Sequence, residues 1–198
     1  MQAAAQGRRL RRWWQVCATR LMVSACAALI VGSFCASLPA QAQISSTEEY
    51  RLKLAFLFNF AKFVEWPADA FPSQQAPLNI CIVGRDPFDP ELERQVTERN
   101  LYGHPVTIRT LRPSDDFGGC HVIFLPASSE GLLPGVLKRL DGLAITVGES
   151  AGFVARGGVV NFVVEGTNLR FAVNLSAAQR TRCRISSRVL ALARIYRE

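Results

Sequence analysis

The residues of this 198-residue chain that could do chemistry are few, and their spacing favours binding over reaction. Gly84-Arg85-Asp86-Pro87 follows an apolar run and precedes a helical pattern, which is where an α/β domain often holds a phosphate. With one glycine there is neither a dinucleotide fingerprint nor a P-loop, and Pro87 removes a backbone donor. A plain strand-to-helix turn is the commoner use of such a segment, with Gly84, Arg85 and Asp86 as a possible ligand turn. No G-x-S-x-G elbow occurs, and neither histidine sits in a catalytic pattern. His104 and His121 each border a strand-like run, where a structural role is expected. The acid pairs Asp115-Asp116 and Asp86…Asp89 lie beside Pro or Gly and read as turn and cap residues. No C-x-x-C or Cys/His spacing suggests a metal, and no cofactor is implied.

Arginine is unevenly placed. Arg170, Arg180, Arg182, Arg184, Arg188, Arg194 and Arg197 lie within 28 residues, against Glu198 alone among the acids. A solvated helix face is the usual reason. Arg is also the side chain suited to carboxylate, phosphate and interface recognition. Only Phe171 and Tyr196 could stack on bases there, which argues against single-stranded nucleic acid and leaves a protein partner or an anionic head group.

The elements that must position these residues alternate between helix and strand. Ser46 to Trp66 reads as an aromatic amphipathic helix, with Ser46 as N-cap, Glu49 completing a capping box and Pro67 as the stop. Leu54, Leu57, Phe58, Ala61 and Val64 recur at helical spacing. Leu78–Val83 reads as a buried strand, and a helix is expected from Asp86-Pro87 to about Arg99. Pro105–Leu111, His121–Leu125 and Leu143–Val147 read as strands, with Gly131–Leu140 helical between the last two. Val159–Val164 and Leu169–Val173 flank a four-residue turn, Glu165 to Asn168. Leu175–Arg182 and Ser186–Arg197 read as closing helices. The pattern predicts a single-domain α/β sandwich with a mostly parallel central sheet, a late antiparallel hairpin at its edge and flanking helices.

Residues 1–42 read as an export signal and 43–198 as the functional domain. Arg8, Arg9, Arg11, Arg12 and Arg20 precede an uncharged run from Leu21 to Leu38. Pro39-Ala40-Gln41-Ala42 offers small residues for cleavage after Ala42. An uncleaved anchor is the alternative, since about 18 apolar residues nearly suffice for a span. A lipoprotein-like Val23-Ser24-Ala25-Cys26 stands at the start of that run, not after it. Five of the 23 basic residues lie in this segment and all 16 acids follow it, which leaves 18 against 16, or +2, for the remainder. The high isoelectric point therefore belongs largely to the leader and does not point to nucleic acid.

Several segments resemble the YfiR family. Lys53-Leu54-Ala55-Phe56-Leu57-Phe58-Asn59-Phe60-Ala61-Lys62-Phe63-Val64-Glu65-Trp66-Pro67 resembles its opening motif. Ile80-Cys81-Ile82-Val83-Gly84 with Asp86-Pro87-Phe88 looks like its first strand and turn. Gly157 to Phe162, Glu165-Gly166, Arg170-Phe171 and Asn174-Leu175 resemble its late hairpin. Ala177 to Arg180 and Ile185 to Arg194 look like its end. The resemblance implies a periplasmic, dimeric, non-enzymatic regulator. In the best-known system it restrains YfiN, an inner-membrane diguanylate cyclase, and an outer-membrane lipoprotein, YfiB, can sequester it, raising cyclic di-GMP and favouring biofilm. Other members stand beside transport or signalling proteins, so a small-ligand receptor serving a transporter or histidine kinase is the alternative.

The resemblance also implies a disulfide. Cys81 and Cys120 fall where family members can carry one, and closing about 40 residues would contribute roughly 3–4 kcal/mol; two buried thiols are the alternative. A second cysteine pair found near the late hairpin of some members is replaced here by Val154, Ala155 and Phe162, which puts redox switching through that pair in doubt. Cys183 is expected to be unpaired. Partner contacts are expected around Phe153, Glu165 and Arg170, with Arg180 and Arg188 nearby.

Overall fold

The computed structural model describes residues 44–197. The expected leader and its cleavage after Ala42 lie outside the described residues. Helix α1, Ser46–Lys62, opens one residue earlier than the capping box suggests: Ser45 is the N-cap, and its Oγ accepts the Glu48 N–H at 3.3 Å. It also ends sooner than expected. The Phe63 N–H closes the last turn on the Phe60 carbonyl, and Val64–Glu65 leaves as strand β1 to pair antiparallel with β9, Arg184–Ile185. Pairing with a distant strand therefore ends this helix before Pro67 can.

Eight further strands form one sheet: β2 Leu78–Val83, β3 Asn100–Leu101, β4 His104–Leu111, β5 Val122–Leu125, β6 Ile145–Gly148, β7 Val160–Glu165, β8 Asn168–Asn174 and β10 Arg194–Tyr196. Their order is β10-β8-β7-β6-β5-β2-β4-β3, parallel except at β7–β8 and β3–β4. The expected mixed α/β sandwich with a mostly parallel sheet is what forms.

The hairpin is tighter and more central than expected. β7 and β8 are joined by Gly166-Thr167 alone, with Gly166 at φ +62°. Ser186–Arg197 is not one helix. It comprises the short α5, Ser187–Leu190, and then β10, which pairs parallel with β8 (Arg194↔Ala172, Tyr196↔Asn174) and so becomes the sheet edge. Helix α4, Leu175–Arg180, stops short of the expected Arg182.

Two other boundaries move for packing reasons. Phe88 is buried, 5.4 Å from the Phe124 ring and 5.9 Å from Tyr50. The chain turns to insert it, with the Asp86 carboxylate accepting the Phe88 N–H at 2.8 Å, and α2 begins only at Pro90, capped by Asp89. The expected helix 131–140 is instead a 3-10 turn, Ala127–Leu132, followed by α3, Leu133–Leu137. β2 feeds both sides of the sheet, as period-two alternation requires: Ile80 and Ile82 join the core under α1 and α2, whereas Cys81 and Val83 join a smaller one with Phe117, Leu133, Val136 and Phe153.

Candidate functional site

The chain passes from β2 to β4 on one side and then returns to β5 on the other. In open α/β sheets, ligands lodge outside the carboxyl ends of the strands at such a reversal. A crevice of about 580 Å³ lies there, lined by Ser46, Thr47, Tyr50, Arg85, Asp86 and Ser128 among others. The expected ligand turn is thus part of a real cleft. Gly84 has φ +95°, and a Cβ on it would sit 2.1 Å from the Ser129 hydroxyl, so glycine lets the two carboxyl-end loops meet. Asp86 is already occupied. Its second oxygen accepts from the Thr110 hydroxyl at 3.0 Å. Burial, followed by the hydrogen bond and charge of Asp86, pushes the nearby Glu93 carboxyl up to about 7. Arg85 is exposed and makes no ion pair among the described residues.

Behind the crevice is a buried charge cluster that sequence reasoning missed. Lys53 on α1 is 3% exposed and its ammonium bonds both Glu49 and Glu149. Glu149, just past β6, also accepts from the Tyr50 hydroxyl at 3.1 Å and from the Ala127 N–H at 2.7 Å. Burial first, then Glu149, pushes the Tyr50 phenol up to about 12. Each polar atom named here has a partner within the fold, so the cluster locks α1 over the ends of β5 and β6. The available signal was Lys53 itself, a charged residue between apolar neighbours at helical spacing and four after Glu49.

The histidines are structural, as expected. His121 Nδ1 accepts the Asn79 N–H at 3.1 Å and Nε2 lies 3.1 Å from the Ala70 carbonyl, so the neutral ring carries its proton on Nε2. Burial holds its pKa below the ordinary value. Cys81 and Cys120 form a disulfide with Cα atoms 5.8 Å apart, on the smaller-core side. Cys183 is a free, buried thiol, pushed up to about 11 chiefly by burial.

The five expected partner contacts do not form one patch. Phe153 is fully buried, wedged where a Cβ on Gly148 or Gly158 would stand 2.3 or 2.1 Å from its ring, so it supports the sheet and presents no surface. Glu165 and Arg170 share a sheet face near the hairpin turn, and Glu165 lies 2.9 Å from Arg194 on β10. Arg180 sits beside Gly157, at the opposite end of β7. Arg188 is exposed on α5, in the crossover to β10.

What sequence reading missed is the edge itself. Among the described residues nothing pairs with the outer side of β10. Leu192 (76% exposed), Ile195 and Val164 are three of the four exposed large hydrophobic residues among the described residues, and all lie in this hairpin–edge region. The alternation Arg194-Ile195-Tyr196 was the signal, obscured by the helical spacing before it.

The chain is a mostly parallel α/β domain with a carboxyl-end crevice and an open strand edge. The chain belongs to the YfiR/HmsC-like family, whose profile matches residues 50–194. That family is one of periplasmic regulators, and at family level it supports a role in regulating diguanylate cyclase signalling. No curated protein matches the chain. Among solved structures, the crystal structure of a conserved domain protein from Vibrio cholerae O1 biovar El Tor is similar at 14% identity, with a TM-score of 0.43, over 79% of this chain. The match spans 61% of the length of that protein.

Proposed function

We propose that this protein is an exported periplasmic repressor that binds the periplasmic portion of an inner-membrane diguanylate cyclase of the YfiN type, lowering cyclic di-GMP and restraining biofilm formation. Residues 1–42 would be its leader, removed after Ala42. The observation that carries the reading is the open β10 edge. Unpaired strand backbone beside exposed Leu192 and Ile195 is a surface that invites another chain to add a strand. Arg197 follows it directly and Arg188 lies in the crossover that leads to it; both are exposed and favour an acidic partner segment. The energetics would be linkage: a repressor that binds the inactive cyclase more tightly holds it there, and sequestration by a YfiB-like outer-membrane lipoprotein removes that bias. A homodimer would present two such edges.

Co-purification from solubilised membranes tests this. The wild-type protein should capture a cyclase-bearing membrane protein. Leu192→Asp with Ile195→Lys should abolish capture while leaving the thermal melt within a few degrees. Equal capture by this variant would sink the edge as the contact.

The crevice after β2 favours a second reading, a small-ligand receptor serving a transporter or histidine kinase, with Arg85 and Asp86 in its wall. A thermal-shift screen of periplasmic metabolites separates the two, because a ligand selective for the folded state raises its melting temperature.

A further inference from the structure

Another cavity lies elsewhere. About 1080 Å³ of open volume lies between the carboxyl end of α1, the segment after it and the β3–β4 turn, with Glu65, Trp66, Phe71, Tyr102 and His104 in its walls. None of these residues enters the edge or crevice readings above.

The aromatic walls are held in place. The Trp66 indole N–H donates to the Ala61 carbonyl at 3.3 Å, and its ring stands edge-on to His121 at 5.4 Å. Phe71 is stacked between His104 at 3.8 Å and His121 at 4.4 Å. Such rings lose little freedom when a guest arrives.

Tyr102 is the anomaly. It is the one non-glycine residue with positive φ (+54°) among the described residues, and it is 70% exposed. With Gly103 at +89° it forms a two-residue turn with both central residues left-handed. Asn or Asp relaxes in the first position of that turn, whereas a tyrosine is strained there. Its hydroxyl donates to the Lys62 carbonyl, which fixes the ring at the mouth of the cavity. Neither core packing nor turn chemistry asks for a large exposed ring at this point.

Charge supplies the third observation. Among the lining residues Glu65 alone carries a formal charge at neutral pH, with histidine neutral. It makes no ion pair among the described residues, not even with Arg184, its cross-strand neighbour. A cavity walled by aromatic faces with a single free carboxylate attracts a cation that is itself partly apolar, because the ring quadrupole and the carboxylate act in the same direction. A divalent metal would require several oxygen ligands, which one carboxylate does not supply.

We propose that this cavity is a binding site for a small organic ammonium ion, recognised by Trp66 and Tyr102 through their rings and by Glu65 through its charge, with Phe71 a wall held between the two imidazoles. The ion could arrive free or as the head group of a zwitterionic lipid.

The test is calorimetric titration of the full chain with choline and with 3,3-dimethylbutan-1-ol, its neutral isostere, at matched ionic strength. Choline should bind at least tenfold more tightly than the isostere. Glu65→Gln should remove that preference. Tyr102→Asn, which suits the left-handed turn, should weaken choline at least fivefold without lowering the melting temperature. Co-flotation with phosphatidylcholine vesicles that depends on Glu65 would identify a head group as the source, and choline binding without flotation would identify the free ion. Equal binding of choline and its isostere to the wild-type protein, or no heat with either, overturns the proposal, whatever the variants do.

Discussion

The two faces of the sheet are held in different ways. Under α1 and α2, 25 buried apolar residues form one cluster, with Phe56 meeting Phe162 and Phe171 across it. On the opposite face only 11 are buried together, and two of them are the bonded Cys81 and Cys120. Residues 112–121, which run across the smaller face between β4 and β5, have no helix or strand of their own. Phe117 anchors them, with the Arg139 guanidinium 4.2 Å from its ring. Where apolar burial is thin, a covalent link ties an irregular segment to the central strand. Where burial is thick, the fold also encloses the Lys53–Glu149 ion pair.

Breaking that pair should have the largest effect. Lys53→Met leaves Glu149, whose side chain is 5% exposed, without its cation. A loss of about 3–5 kcal/mol is expected in chemical denaturation. Adding Glu149→Gln should recover part of it, and no recovery would mean that packing, not charge, holds α1 down.

Next comes the disulfide. Cys81→Ala with Cys120→Ala should cost roughly 3–4 kcal/mol. Hydrogen exchange should accelerate across 112–140 well before α1 responds. Uniform loss of protection on both faces would erase the contrast between them.

A smaller effect depends on pH. The Glu93 carboxyl on α2 titrates near 7 in the folded chain, against an ordinary 4.5. The unfolded chain therefore releases this proton first as pH rises, and stability falls between about pH 4.5 and 7. In Glu93→Gln this part of the slope should vanish, as read from melting temperatures across that range.

Smallest is Arg194→Ala. Its pair with Glu165 is solvent-exposed, so stability should change by less than about 1 kcal/mol. Reduced capture of the membrane partner by the same variant would place Arg194 in the interface and not in the fold.

Much of the architecture was legible beforehand. β2 occupies Leu78–Val83 as its compact, mostly apolar run indicates, and much of the apolar stripe of α1 is buried as its spacing indicates. The site was legible only in pieces. Arg85 and Asp86 do border a cleft, because a strand-to-helix turn at a carboxyl end is a local feature. Lys53 and Glu149 are 96 residues apart, and no local pattern links them. Phe153 was expected among the partner contacts. Its neighbours Gly148 and Gly158 are in fact what makes room to bury it.

By itself the sequence determined which segments alternate or recur at helical spacing, where turns must fall and which way each strand faces. Those properties depend on backbone sterics and on neighbours within a few residues. Only the tertiary structure decided that Arg194–Tyr196 extends along β8, that Trp66, Phe71 and Tyr102 wall one cavity, and that Leu192 and Ile195 stand exposed beside an open edge. Strand pairing and cavity formation depend on surfaces brought together from distant parts of the chain. An open strand edge can draw three residues out of a helical pattern when the hydrogen bonds and burial it offers exceed their weak local preference.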